Sequence, residues 1–149
     1  MKDILGVGKR PQGTFDAKML FKETKKVSTS EAGSIVVPVG TGLFKACMIL
    51  DVLALETESN DEIYDIVIQG CEEEGFTAAK VCDLCSITLS ASEVKRTDSD
   101  RDDTAGRYKL YFDNENNGVF YPYLRIYTVV GGSVASDGIT YGAYAVPME

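Results

Sequence analysis

The chain has 149 residues, of which 44% are hydrophobic, enough to bury the core of one domain and too many for a disordered chain. Its formal net charge of -8 argues against nucleic acid as the main partner, and the absence of histidine removes the commonest general base and nitrogen metal ligand. No stretch of eighteen apolar residues is present and no apolar segment follows Lys2, so we predict neither a membrane span nor a secretory signal, and we expect synthesis in the cytoplasm.

Residues 1–33 differ from the rest of the chain in charge. They carry seven Lys and Arg side chains against four acidic ones, while the remainder is strongly acidic. Gly6, Gly8, Pro11 and Gly13 give this segment little reason to fold alone, so we predict an extended N-terminal arm; a solvated tail is the simpler alternative. Thr14 can instead cap a short helix over the residues that follow it, and the sequence does not decide between arm and helix.

The remainder, residues 34–149, is predicted to form one all-β domain. Runs rich in apolar and β-branched residues recur between turn signals, as expected for a β-sandwich or a jelly-roll-like fold. The longest run also has the length of a helix, but the glycines before it and the acidic turn after it favour a strand. The predicted strands cover residues 34–39, 43–55, 63–70, 79–89, 106–112, 120–132 and 139–147. The very polar segment 93–105 is predicted to be a long mobile loop.

The two C-terminal strands carry apolar or aromatic groups on both faces. Alternation places Tyr123, Arg125, Tyr127 and Val129 on one face of the first strand. The opposite face carries Leu124, Ile126, Thr128 and Val130. Such strands suit the centre of a sandwich, or an outer face that meets another protein.

Four cysteines, Cys47, Cys71, Cys82 and Cys85, are the only candidate soft metal ligands. A structural zinc site normally combines two close pairs, whereas only Cys82 and Cys85 are close in sequence. In a regular strand these two side chains would also point to opposite faces. We therefore interpret the four as small buried side chains and predict no cofactor and no metal.

Acidic residues 98–103 resemble the opening of a calcium-binding loop. An EF-hand needs glycine at the sixth position and glutamate at the twelfth, where this chain has Asp103 and Lys109. We therefore predict solvated surface charges. No acidic pair stands out as catalytic, and we expect the protein not to be an enzyme.

Several tyrosines are candidates for a protein interface, for packing between sheets, or for stacking against sugars. Together with the basic residues of the arm they form our candidate interface. Its members are Lys9, Arg10, Lys18, Lys22, Tyr121, Tyr123, Tyr127 and Tyr144.

The order of strands and turns resembles that of small head proteins of tailed bacteriophages. The resemblance is carried by strands 63–70 and 107–112, the turn 113–117, the run from Phe120 to Ile126, the Gly131-Gly132 break and the ending from Ile139 to Tyr144. It covers roughly residues 34–147, and the nearest likeness is to the capsid cement or decoration proteins of short-tailed phages. No single motif in it is diagnostic.

This resemblance implies a non-enzymatic virion protein, made in the host cytoplasm and bound to the capsid exterior. Its expected partners are the phage major capsid protein and further copies of itself, as a homo-oligomer, with neither nucleic acid nor membrane. A carbohydrate-binding β-sandwich module is the alternative, because the same architecture serves many functions. A metal-dependent enzyme comes third.

Overall fold

A computed structural model describes residues 19–96, 98, 101–134 and 137–148 of the chain. Seven strands of eight to eleven residues and four strands of two residues account for most of it. A 3-10 turn (Ala78–Lys80) and a four-residue helix α1 (Ser92–Lys95) complete the described elements. The strands are β1 Leu20–Val27, β2 Glu31–Ala32, β3 Val37–Pro38, β4 Lys45–Leu55, β5 Ile63–Cys71, β6 Cys82–Ser90, β7 Gly106–Asp113, β8 Glu115–Asn116, β9 Val119–Phe120, β10 Tyr123–Gly131 and β11 Ile139–Pro147.

The strands form two facing antiparallel sheets. The first sheet has the order β1-β11-β4-β7, and the second has the order β2-β10-β5-β6, with β3 also pairing with β10. If β2 and β3 are taken as one interrupted strand, each sheet has four strands. Every connection between these strands except β5–β6 then passes from one sheet to the other, which is the jelly-roll arrangement. The predicted all-β sandwich is confirmed.

The core lies between the two sheets and follows the two-residue period of the strands. On β4 the inward side chains are Ala46, Met48, Leu50 and Val52, all buried. They pack with the inward residues of β5 and β10, among them Ile66 and Ile126, as the alternation of these runs predicts. Each fully buried aliphatic side chain contributes about 1.5–3 kcal/mol relative to exposure. The buried hydroxyl groups of Thr128 and Tyr141 are hydrogen-bonded at 2.5 Å, which satisfies both polar groups between the sheets.

The sandwich includes part of the predicted arm. Strand β1 lies at the edge of the first sheet, antiparallel to β11, and β2 pairs with β10 in the second sheet. Phe21 of β1 is fully buried. Alternation failed to signal this strand because the register shifts on both sides of Lys22 and four consecutive residues are exposed. Residues 20–33 therefore belong to the sheets, and the arm prediction for residues 1–18 falls outside the described residues.

None of the helices within the described residues is long and apolar enough to cross a membrane.

Candidate interaction surface

Among the predicted basic interface residues, only Lys22 lies within the described part of the chain. Its side chain is buried, and its ammonium donates to the carbonyl oxygens of Tyr141 (2.8 Å), Lys25 (3.0 Å) and Glu23 (3.2 Å). The ammonium also lies 4.3 Å from the centre of the Tyr141 ring. Burial lowers the pKa of Lys22 to about 8. Lys22 therefore fixes the start of β1 to β11. Lys9, Arg10 and Lys18 lie outside the described residues.

Two of the predicted tyrosines, Tyr123 and Tyr127, lie half-exposed on the outer face of the second sheet. Arg125 stands between them, and its guanidinium lies 4.3 Å from the centre of the Phe76 ring. Its Nε donates to Gln69 Oε1 at 2.9 Å. The Gln69 amide in turn donates to Asp83 Oδ1 at 2.9 Å, so a polar row crosses this face beside the tyrosine rings.

The other two predicted tyrosines lie elsewhere. Tyr144 is on the outer face of the first sheet, only 8% exposed, in a cluster with Cys47, Ile49 and Val146. Tyr121 lies in the turn between β9 and β10, and a hydrogen bond with Cys82 raises its pKa. The four tyrosines therefore occupy three places on the molecule and do not form one surface.

The cysteines are all free, and the close pair departs from regular alternation. The register of β5 with β6 shifts by one residue, so Cys85 lies opposite Ile68 and Cys82 opposite Gly70. Both partners belong to the inward side of β5, so the extra residue, Leu84, brings the two cysteines to the same side. The Asn116 amide donates to Cys82 Sγ at 3.0 Å. Within residues 19–96, 98, 101–134 and 137–148, no group of three or more His, Cys, Asp or Glu could hold a metal ion.

One end of the sandwich exposes apolar side chains that the sequence analysis did not single out. We call it the apolar end, and define it by four residues at the start of β4, on β9 and after β11. Hydrogen bonds join the segments that carry them: Met148 N donates to Lys45 O at 2.8 Å, and Tyr121 N to Asn114 O at 2.9 Å. The four residues are Leu43 (54% exposed), Val119 (37%), Phe120 (40%) and Met148 (47%).

A single buried side chain, Asn114, holds the loops of the apolar end together. Its Nδ2 donates to the carbonyl oxygens of Gly42 (2.9 Å) and Tyr121 (3.0 Å), and its Oδ1 accepts from Phe44 N at 2.8 Å. The neighbouring β8–β9 hairpin turns at Asn117 and Gly118, both with positive φ (54° and 83°), as a two-residue hairpin turn of this hand requires. The Asn-Gly pair is visible in the sequence. The role of Asn114 is not, because its three partners are backbone atoms, two in the loop before β4 and one in the β9–β10 turn.

The opposite end, where β4 runs into β5, is held by carboxylates. We call it the acidic end, and define it by residues 56–62, 90–92, 101–105 and 132–134. Asp61 accepts from both the amide and the hydroxyl of Ser133 at 2.9 Å, and these hydrogen bonds lower its pKa. Asp102 accepts from Ser92 N at 2.9 Å and Asp103 from Ser90 N at 2.8 Å. The segment predicted to be a mobile charged loop is thus tied to the ends of β6 and α1 through two of its acids.

Glu62 and Glu56 form the buried part of the acidic end. Glu62 is fully buried and accepts from Ser59 N at 2.8 Å and Asp61 N at 3.1 Å. Burial raises the pKa of Glu56, and the nearby Glu62 carboxylate raises it further. These hydrogen bonds make Glu62 the acceptor that closes the β4–β5 turn.

No model of a known protein family matches the sequence. A comparison with curated proteins also finds no match. The argument for a function therefore depends on the fold and on the surfaces described above.

Proposed function

We propose that this protein is a non-enzymatic component of a tailed-phage virion that binds the outside of the capsid. It stabilises the head through contacts with the major capsid protein and with further copies of itself. The observation that carries the proposal is the apolar end, where hydrogen-bonded segments at one end of a jelly-roll sandwich carry four exposed apolar side chains. Contiguous exposed apolar groups rimmed by polar residues are typical of protein–protein contact sites.

The physical requirements of such a role are modest and suit this molecule. A shell is strengthened when many small interfaces are repeated by symmetry, and none of them needs an active site. A rigid sandwich adds such interfaces at little entropic cost, because the surface is ordered before it binds. The resemblance of the strand pattern to capsid cement and decoration proteins points to the same role, at the virion exterior.

A carbohydrate-binding module is the second candidate, and one surface favours it. The outer face of the second sheet presents the half-exposed rings of Tyr123 and Tyr127 beside the polar row Arg125, Gln69 and Asp83. Aromatic rings stack against sugar faces, and neighbouring polar groups can bond to hydroxyls. This proposal places the ligand on a sheet face rather than at an end of the sandwich.

Binding to shells tests the first proposal. Empty shells would be assembled from the major capsid protein of the genome that encodes this chain, and mixed with purified protein at physiological salt. We expect saturable co-sedimentation and a higher temperature of shell disruption. If the protein stays in the supernatant at micromolar concentrations, the capsid proposal fails. Saturable glycan binding that Tyr127→Ala abolishes would then favour the sugar-binding module.

A further inference from the structure

Exposed apolar residues are concentrated at the apolar end. Eight large hydrophobic side chains are exposed among the described residues, and four of them belong to this end. The others, including Leu53, Val94 and Val129, lie on the strands or near the opposite end. Singly exposed apolar residues are ordinary in soluble proteins, whereas a cluster carried by neighbouring segments indicates a contact site.

The backbone that presents this cluster is fixed before any partner arrives. Asn114 joins the loop before β4 to the β9–β10 turn through three hydrogen bonds, and Met148 is bonded to Lys45. The β8–β9 hairpin adds a bond from Gly118 N to Glu115 Oε2 at 2.5 Å. A partner that binds here orders only side chains, which keeps the entropic cost of binding low.

The rim of the apolar end is acidic. Glu72 and Glu74 are exposed after β5, and Asp113 and Glu115 are half-buried beside the β8–β9 hairpin. Glu73 is already paired with Lys80 at 2.6 Å. Residues 72–80 and 113–120 contain five acids and one lysine, Lys80, so the rim carries net negative charge. Two copies joined symmetrically through this end would bring two acidic rims together, which opposes their association.

We propose that the apolar end is the docking surface, and that its occupant is an apolar surface with a basic rim on a different protein. This inference rests on the proposed function and deepens it, because it assigns the shell contact to one end of the sandwich. Four apolar side chains alone are too few for a stable interface, so the acidic rim must take part. The complementary charge would also steer the encounter and select against a second copy.

The central test replaces two of the four apolar residues together, Leu43→Ser and Phe120→Ser, and measures binding to the empty shells described above. We expect affinity to fall about thirtyfold, the loss that an anchor side chain at the centre of an interface typically causes. The matched control is Leu53→Ser, because Leu53 is 63% exposed but lies on the outer face of the first sheet. The control should bind like the wild type, and thermal unfolding of both variants checks that they fold.

The rim is tested by charge reversal. Glu72→Lys together with Glu74→Lys should weaken shell binding at low salt, and the difference from the wild type should shrink as salt screens the rim. If the charge-reversed variant binds shells more tightly than the wild type, the proposal that the partner has a basic rim is wrong.

The remaining outcomes separate the two proposals. If the wild type does not bind shells, the proposed function fails and this inference falls with it. If the wild type binds and the double variant binds equally well, the function survives and the apolar end is not the contact. If sedimentation shows that the wild type self-associates and the double variant does not, a second copy occupies this end and the proposed occupant is wrong.

Discussion

The two ends of the sandwich are fastened by different chemistry. At the apolar end the neutral amide of Asn114 joins loops through backbone groups of Gly42, Phe44 and Tyr121. At the acidic end the loops are joined by carboxylates, as when Asp61 accepts two hydrogen bonds from Ser133. An amide does not titrate, whereas protonation turns one carboxylate oxygen into a donor and makes the group a weaker acceptor. The comparison teaches that one fold can hold some loops through a side chain that does not titrate and others through side chains that acid weakens as acceptors.

The largest effect on stability is expected from removing the Asn114 side chain, which joins the loops of the apolar end. Asn114→Ala removes one buried side chain and leaves the amide of Phe44 and the carbonyls of Gly42 and Tyr121 without this partner. Because each unsatisfied buried group costs about 1–3 kcal/mol, we expect the free energy of unfolding to fall by about 4 kcal/mol. Urea denaturation measures the loss.

The matched control for this prediction is Asn116→Ala. The Asn116 amide bonds to the half-buried Cys82 thiol, so its removal should cost about 1 kcal/mol or less. Equal losses of unfolding free energy in the two variants would show that the three Asn114 hydrogen bonds do not hold the loops of the apolar end together.

A backbone change should damage the acidic end almost as much. Gly132 has φ of 85°, and a Cβ placed on it would lie 2.2 Å from the carbonyl oxygen of Asp61. Gly132→Ala must therefore displace the β4–β5 turn, and we expect a loss of about 3 kcal/mol in thermal or urea unfolding.

Gly42→Ala is the corresponding control at the apolar end. A Cβ at Gly42 would meet no heavy atom within 4 Å, so the expected change is about 0.5 kcal/mol or smaller. A neutral Gly132→Ala would mean that the acidic end can rearrange at no cost.

The strands and their faces could be predicted because burial on one face imposes a period of two on the sequence. Alternation predicted that Met48 and Leu50 share one face of β4 and that Leu124 and Ile126 share one face of β10, without showing which face is inward; all four are buried. Period-two patterns depend only on local geometry.

The remaining features depend on contacts between distant segments. Strand β1 is an irregular edge strand, and its run of exposed residues does not alternate with apolar ones. The extra residue Leu84 places Cys82 and Cys85 on the same side of β6, whereas regular alternation predicted opposite sides. The candidate interface residues were chosen by residue type, yet Lys22 proved to be buried and Tyr144 nearly so. At the apolar end, Asn114 joins the loop before β4 to the β9–β10 turn, although that loop is far from Asn114 in sequence. Nothing local in the sequence marks such an arrangement.

A third prediction concerns Lys22, which sits between the two ends at the edge of the first sheet. Its pKa is about 8 when folded, below the ordinary value of 10.5, so the unfolded chain binds more protons between these two values. Stability should therefore rise with pH in this window, by about 2 kcal/mol between pH 7 and pH 9.5. Urea denaturation at several pH values up to 9.5 measures the rise.

Lys22→Met is the control, because methionine keeps most of the side-chain volume and does not titrate. The variant should be less stable overall, since three carbonyls lose their donor, but its stability should lack this pH-dependent rise. Parallel pH curves for the two proteins would mean that the three carbonyls and the Tyr141 ring keep the ammonium charged throughout the window.

The smallest effect is local, and it tests the difference between the two ends directly. Because hydrogen bonds from Ser133 lower the pKa of Asp61 below its ordinary value of 3.8, the stability that this carboxylate provides is present above pH 3.8 and is lost as pH falls through the folded pKa. In an NMR titration of the wild type, the Ser133 amide resonance should therefore move in acid. The Phe44 amide resonance should not move over the same range, because this amide donates to the Asn114 side chain.

Two variants serve as controls. Asp61→Asn should abolish the pH-dependent shift of the Ser133 resonance and speed exchange of the Ser133 amide at neutral pH. Asp83→Asn should leave Ser133 unchanged, because the Asp83 carboxylate accepts from the Gln69 side chain. If the Phe44 and Ser133 amide resonances move over the same pH range in the wild type, the two ends respond to acid together and the contrast between them does not hold.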